Sequence, residues 1–457
     1  AAATATLPTA MNELVLIVDD EPGILTTVSD ILSDEGYRTV TTSSGREALE
    51  IYRRDRPDVV FLDIWLADRD GLETLQALKE LDPEAAVVMI SGHGTASTAA
   101  KSIKMGAHDY LEKPLSYDQT VAAVHAALEA KAAGATGEAI HRNGKGTNGH
   151  GAAGFELTKT RAETLSRLEP PPELPQLVVA DTPQRTIRES SVIYGLGLHS
   201  GRRTGMAIQP LPPDTGIHFL TLPQDTVIPA HVGSVADTDY ATTLEREGQS
   251  IRTVEHLLSA LHASGITNLL IKVHGEIPVL DGSALDFCER LLAIGIEDQD
   301  APRKELVIDR RYQVGGSGEE KSLVIEPADE FSVSYLLRYP APVGEQTYQF
   351  TLTDFDAYRE QIAPARTFGF MRDLKMMNEL GLGSGGRLDN FILVGEDNVI
   401  NTELRFPDEF VRHKILDIIG DLYLLGYPVR GKVTAKLTGH RDNIALQRAI
   451  FEAAAVA

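Results

Sequence analysis

The chain has a single cysteine in 457 residues, Cys288, so it cannot form an intrachain disulfide and fits a reducing compartment. No run approaches the roughly 18 to 20 apolar residues of a membrane-spanning helix, so an integral membrane protein is not expected. Basic residues are outnumbered, with 43 Lys and Arg against 66 Asp and Glu, and the formal charge is −23. That balance argues against nucleic acid, or an anionic membrane surface, as the main partner. The opening AAATATLPTA lacks the basic region and leucine-rich stretch of a secretory signal. Residues 1–10 read as a disordered tail ahead of a start at Met11, and the cytoplasm is the expected location. What is present, 42% hydrophobic and 24% charged residues, is the composition of an ordinary globular protein. The length predicts two or three domains.

Residues 11–131 alternate short apolar runs with amphipathic stretches, the signature of a parallel α/β sheet. Leu14–Val18, Val59–Leu62, Val87–Ile90 and Tyr110–Leu111 read as buried strands, with a weaker one near Thr39–Thr41. Helical patterns cover Gly23–Leu32, Glu73–Leu81 and Thr120–Ala130. The expected fold is a doubly wound (βα)5 domain with its chemistry at the carboxyl ends of the strands. Polar residues sit at those ends: Asp19, Asp20 and Glu21 after the first strand, Asp63 at the third, Ser91 at the fourth, and Lys113 after the fifth. Clustered carboxylates repel one another unless a hard cation joins them, and oxygen ligands of this kind suit Mg²⁺. Each strand-end Asp, taken singly, also fits a turn or helix cap.

The stretches VDDEP, FLDIWLADRDG, MISGHG and DYLEKP make residues 11–131 resemble a response-regulator receiver domain. The resemblance implies that Asp63 accepts a phosphoryl group from a histidine kinase. It implies that Asp20, Asp63 and the Trp65 carbonyl bind Mg²⁺, with Asp19 holding the water shell. Ser91 and Lys113 would contact the phosphoryl oxygens, Tyr110 would be the aromatic switch position, and phosphorylation would drive dimerisation. Ala67 departs from the proline usual before the family's xxDG turn, a change in loop stiffness that removes no chemical group.

Residues 132–181 are rich in Ala, Gly, Asn, Lys and Thr, a composition that buries too little apolar surface to offset its ordering entropy. They read as a flexible linker, stiffened by Pro170–Pro172 and Pro175; such a chain of about 50 residues spans roughly 40 Å. GKGT there lacks the Ser or Thr after Lys and the preceding strand of a phosphate loop. His141 and His150 read as solvated.

Residues 182–457 mix strands (Leu269–Val273, Ser322–Ile325, Phe391–Val394, Lys432–Leu437) with helices near Thr253–Ala263 and Asp408–Leu425, an α+β order. Gly381, Gly383 and Gly386 match GxGxxG but follow a helical pattern and precede a strand, the reverse of a dinucleotide site. FVRHKILDIIGDL sets His413, Asp417 and Asp421 four residues apart, along one drifting helical stripe. His-x3-Asp alone fits a solvated surface helix as well as a metal site. RTVEHLLSAL adds His256, which with His413 and Asp417 completes a two-nitrogen, one-oxygen set like an open catalytic zinc site. Glu255 projects about 100° from His256 and can reach an attacking water without ligating the metal, as a general base must.

The stretches GLGLHSG, TVEHLLSAL, EIPVLDGSA, ARTFGFMRD, RFPDEFVRHKILDIIGDL and TGH make residues from about Arg185 onward resemble UDP-3-O-acyl-N-acetylglucosamine deacetylases, zinc amidases of lipid A synthesis. The resemblance implies two α+β halves whose sheets sandwich a central helical layer. It matches His256, His413 and Asp417 to the zinc ligands and Glu255 to the base. His440 matches the protonated histidine that serves the leaving amine, and Asp421 the carboxylate that orients it. Thr367 matches the oxyanion-binding hydroxyl; Phe368, Lys414 and His199 match positions facing the sugar and nucleotide. Tyr240, Ala241, Thr242 and Thr243 depart from relatives, in which small or sulfur-containing residues are common, leaving the shape of the acyl-chain region open.

Two readings follow. In the first, the chain couples a receiver to a zinc deacetylase. In the second, it is a two-component signalling protein whose C-terminal part binds nucleotide-sugar, or a partner, without turnover.

Overall fold

Runs of β-branched residues separated by amphipathic stretches pair in register to build the first of two units, which divide at Arg167/Leu168. The computed structural model describes residues 13–91, 101–112, 115, 117–134 and 164–456, except 223, 317–319, 375, 377–381 and 388–389. The proposed tail 1–10 and linker residues 135–163 lie outside the described residues. In chain order the first unit has β1 (Leu14–Val18), α1 (Pro22–Asp34), β2 (Arg38–Thr42), α2 (Gly45–Asp55), β3 (Val59–Asp63), α3 (Gly71–Leu81), β4 (Val87–Ser91), β5 (Asp109–Glu112) and α4 (Tyr117–Gly134). The sheet is parallel, in the order β2-β1-β3-β4-β5.

That order sets the carboxyl ends of β1 and β3 side by side, and with them Asp19 and Asp63. Helices covering both faces make β3 and β4 continuous apolar runs, buried at every residue. Local chemistry fixes the helix starts. Pro22 opens α1, where its missing N–H costs nothing. Ser44 caps α2 by accepting from the Glu47 N–H, and Asp70 caps α3 by accepting from Leu72 N at 2.8 Å. A Cβ on Gly71 would stand 2.0 Å from the Asp63 carbonyl oxygen, so only glycine allows the loop after Asp63 to fold back this tightly.

The second unit has two main sheets. One orders Val227–Pro229, Ile217–Thr221, Leu269–Val273, Arg203–Pro210 and Ser191–Leu196. The other contains seven strands, with Val429–Lys436 at its centre, pairing Ser322–Glu326, Phe331–Arg338 and Ile296–Val307. The helices carrying the predicted site are α5 (Glu255–Ser264) and α8 (Glu409–Leu422); α6 (Leu285–Ile294) and α7 (Phe355–Gln361) lie between them in sequence, and α9 (His440–Val456) follows. A continuous core joins Ile208, Phe219 and Ile271 of the first sheet with Val333 and Val433 of the second, through Leu257 and Leu261 of α5 and Ile415 and Ile419 of α8. The α+β fold with helices between two sheets is therefore realised.

The two central helices approach unusually closely. A Cβ on Gly420 would meet the Glu255 carbonyl oxygen at 2.0 Å, so α8 lies on α5 only because it has glycine there. His262 reinforces the seam by donating from Nδ1 to the Ile419 carbonyl at 2.8 Å, and burial lowers its pKa to about 4, keeping it neutral.

The stretch 168–181, assigned above to the linker, belongs instead to the second unit. Leu177–Ile187 is a strand antiparallel to Ile296–Val307, Leu174 is buried in the core, and the Pro171 carbonyl accepts from the Tyr427 hydroxyl at 3.1 Å. Prolines need no partner for a missing N–H, so Pro170–Pro172 can line the unit where other residues would leave donors unmet.

Candidate metal centre and active site

Glu255 and His256 occupy the first two positions of α5, and His413, Asp417 and Asp421 repeat every four residues along α8. His256, His413 and Asp417 are all buried, and each offers a ligand atom within 4.8 Å of the others. Asp417 Oδ1 stands 3.5 Å from His413 Nε2 and 3.8 Å from His256 Nε2. The imidazoles meet edge to face with centroids 5.0 Å apart.

Outer contacts prepare each group for a cation. His413 donates from Nδ1 to the Ala365 carbonyl at 3.0 Å, which leaves the Nε2 lone pair for the centre. Burial pushes both imidazoles down, His256 to about 3, so they stay in the neutral form that ligates metals. For Asp417, burial alone would raise the carboxyl, but Lys414 and the nearby histidines outweigh it and hold it well below the usual carboxylate range. Two neutral imidazoles and one carboxylate converging on a buried point fit a three-ligand zinc site with an open position. Asp421 lies on the same stripe but belongs to no ligand group.

Asp421 instead faces α9. His440 donates from Nδ1 to Asp421 Oδ2 at 2.7 Å, Asn443 donates to the same oxygen at 2.8 Å, and Thr242 donates from its hydroxyl to Oδ1 at 2.7 Å. Burial pulls the His440 imidazole down, but the adjacent Asp421 carboxylate outweighs it and raises the pKa to about 9. Glu255 accepts from the Thr242 backbone N–H at 3.1 Å. Burial raises its carboxyl to about 8, and Asp421 and Asp417 add to that against the pull of His440. A cation at the three-ligand point would draw it back down.

These groups open onto one cavity of about 380 Å³, lined also by His199, Thr367, Phe368 and Lys414. Every residue that the resemblance matched to a deacetylase role lines this cavity except Asp421, which stands behind His440; of the stretch Tyr240 to Thr243, Tyr240 lines it as well. Thr367 is fixed through its backbone, N–H to Gly282 O at 2.7 Å and carbonyl from Ile392 N at 2.8 Å. Its neighbour Arg366 forms a buried ion pair with Glu409 at 2.9 Å, tying this segment to the start of α8. Phe368 packs edge-on against Phe410 and His413. Gly383 and Gly386 line the cavity too, while Gly381 lies outside the described residues. The sequence placed Thr242 with the acyl-chain region and not, as found, against Glu255 and Asp421, and it left Asn443 and the Ala365 carbonyl unmarked. A lone Thr or Asn carries no signal, and a backbone carbonyl carries none at all.

In the first unit, Asp19, Asp20 and Asp63 bring carboxylate oxygens within 4.8 Å of one another, a hard-oxygen set that fits Mg²⁺. Asp19 accepts from Glu21 N at 2.9 Å and Asp63 from Trp65 N at 3.3 Å. Ser91 is buried at the end of β4, beside β3, and the Tyr110 hydroxyl is buried on β5. Lys113 lies outside the described residues.

A family model described as UDP-3-O-acyl N-acetylglycosamine deacetylase matches residues 184–452, more than half of the chain. The chain belongs to that family. A UDP-3-O-acyl-N-acetylglucosamine deacetylase from Myxococcus xanthus is 43% identical over 273 residues, 59% of this chain and 86% of that protein. A second model, of the response regulator receiver domain, matches residues 15–125. Among solved structures, NtrX from Brucella abortus in complex with ADP is 43% identical over 28% of this chain, with a TM-score of 0.27. The match covers only 29% of the NtrX chain. The isolated NtrX receiver domain is 46% identical over 25% of this chain and 98% of its own length, with a TM-score of 0.25. The chain therefore joins a receiver domain to a domain of the deacetylase family. Among the described residues, no helix is long and apolar enough to cross a membrane.

Proposed function

We propose that the chain is a zinc-dependent hydrolase of the N-acetyl group of UDP-3-O-(3-hydroxyacyl)-N-acetylglucosamine, releasing acetate in the committed step of lipid A synthesis. The observation that carries this is one cavity joining His256, His413 and Asp417 to a buried carboxylate, Glu255, and a histidine held cationic, His440. A pure binding module needs neither a base nor an acid beside its metal ligands, which favours turnover over the signalling-only reading.

His256, His413 and Asp417 would hold the zinc, which would supply Lewis acidity and a water nucleophile usable near neutral pH. Glu255 takes the proton of the attacking water. The Thr367 hydroxyl donates to the oxygen that gains charge as the carbonyl is attacked. His440, anchored through Nδ1 on Asp421, uses Nε2 to deliver a proton to the departing amine. Phe368, Lys414 and His199 contact the sugar and nucleotide of the substrate.

In the receiver, Asp63 accepts a phosphoryl group from a histidine kinase, with Asp20, Asp63 and the Trp65 carbonyl placed to hold Mg²⁺, Asp19 its water shell, and Ser91 and Lys113 to meet the phosphoryl oxygens. The output we assign to it is a receiver-mediated dimer, in the cytoplasm. Metal analysis beside an acetate-release assay tests the enzymatic reading: His413→Ala loses both zinc and turnover. Retention of both by that variant would refute the ligand assignment.

A further inference from the structure

We infer that the hydroxyl of Thr242 is a positioning group for the His440–Asp421 pair, on a residue whose backbone also holds the base Glu255. The inference rests on the deacetylase reading of this cavity. Thr242 is fully buried, and its polar groups reach all three helices that carry the chemistry. Its N–H donates to Glu255 Oε2 at 3.1 Å, on α5. Its carbonyl accepts from Thr253 N at 3.1 Å and Val254 N at 3.4 Å, at the entry to α5, where no side chain caps the helix. Its hydroxyl donates to Asp421 Oδ1 at 2.7 Å, on α8, and the same oxygen lies 3.3 Å from His440 Nδ1, on α9.

A hydroxyl has one proton to give. Because Thr242 gives it to Asp421, its lone pairs are turned toward the N–H at His440 Nδ1, which already points at Asp421 Oδ2 at 2.7 Å. The imidazole N–H is thereby shared between two acceptors, Asp421 Oδ2 at 2.7 Å and the Thr242 hydroxyl oxygen at 3.3 Å. That fixes the plane of the ring and leaves Nε2 for the cavity that His440 lines. The other Asp421 oxygen is committed to Asn443 as well as His440, and among the described residues Thr242 is the donor to Oδ1. Without the hydroxyl, Oδ1 is a buried acceptor with no donor and the carboxylate can turn, taking the imidazole with it.

Thr242→Val keeps the branched shape and every backbone contact and removes only the hydroxyl; Thr242→Ser keeps the hydroxyl and removes only a methyl. In the full-length chain, both variants are expected to bind zinc as the parent does. The valine variant is expected to lose about 10- to 100-fold in kcat with KM within about twofold, and the serine variant to stay within about threefold of the parent. If Thr242→Val fails to fold, Thr242→Ala takes its place in the comparison with serine. Parent-like kcat in the hydroxyl-free variant overturns the inference. So does a serine variant as slow as valine, or a loss confined to KM or zinc content. A parent chain that releases no acetate refutes the deacetylase reading itself, an outcome distinct from all of these.

Discussion

Lys414 donates from Nζ to Oδ2 of Asp417 at 2.8 Å, one turn away on α8, and so leaves Oδ1 as the oxygen that faces the two histidines. One carboxylate thus serves an ammonium on one side and offers a ligand atom on the other. Asp417 is buried and Lys414 is exposed only toward the cavity, and each holds the other charged: Asp417 outweighs the effect of burial on Lys414 and lifts its pKa above the usual lysine range.

Removing one partner of such a pair leaves a buried charge. Lys414→Met is expected to destabilise the metal-free second unit by about 3–5 kcal/mol, with zinc restoring much of the loss by supplying the missing positive charge. Urea unfolding with chelator and with zinc measures both effects. A midpoint unchanged in chelator would show that the ion pair does not stabilise the apo chain.

The His440 pKa, raised to about 9 by Asp421 against the effect of burial, sets a direction for pH dependence. A histidine whose folded pKa lies above its ordinary value contributes stability below that ordinary value and loses it as pH rises through the folded pKa. The proton needed for the leaving amine disappears over the same interval. We therefore expect kcat/KM to fall on the alkaline side, and Asp421→Asn to move that fall to lower pH. An unmoved alkaline limb in Asp421→Asn would separate His440 from the proton transfer.

Gly420 tests the helix seam. A methyl group there would collide with the Glu255 carbonyl oxygen, so Gly420→Ala must push α8 off α5 and pull His413 and Asp417 away from His256. The expected cost is about 1–3 kcal/mol in stability, with weakened zinc retention on dialysis. Thermal unfolding and metal analysis of one preparation read both.

For the receiver, Asp63→Asn removes the phosphoacceptor oxygen while keeping the side chain's size. Incubated with an acyl phosphate and Mg²⁺, the parent chain is expected to gain a phosphoryl group, seen by intact-mass measurement, and the variant none. Phosphoryl uptake by the variant would place the acceptor elsewhere.

Much of this architecture is legible in the sequence because local pattern and tertiary role agree. Leu14–Val18 and Leu269–Val273 are strands with the predicted bounds, being short apolar runs buried on both faces. α8 was visible from its period, although nearly all of its faces are buried, not one stripe. The edge strand Leu177–Ile187 was not visible: it contains Pro183, alternates irregularly and exposes Val178 and Val179, so composition placed its start in a linker. Its partner Ile296–Val307 is charge-rich, and only Leu306 in it is buried. In the site, ligands declare themselves by residue type and spacing, and the three metal-binding candidates do meet. Thr242 does not, because its importance lies in three backbone and hydroxyl contacts reaching 13, 179 and 198 residues along the chain.

The central claim is that this cavity is a zinc-dependent deacetylase site, and acetate release by the purified full-length chain tests it most directly. With UDP-3-O-(3-hydroxyacyl)-N-acetylglucosamine as substrate, the account predicts turnover that a chelator abolishes and that zinc, at one equivalent per chain, restores. It also predicts that Glu255→Ala retains the zinc while losing about 10²- to 10⁴-fold in rate. Turnover that survives complete removal of zinc, or a zinc-loaded parent chain that releases no acetate, would contradict it.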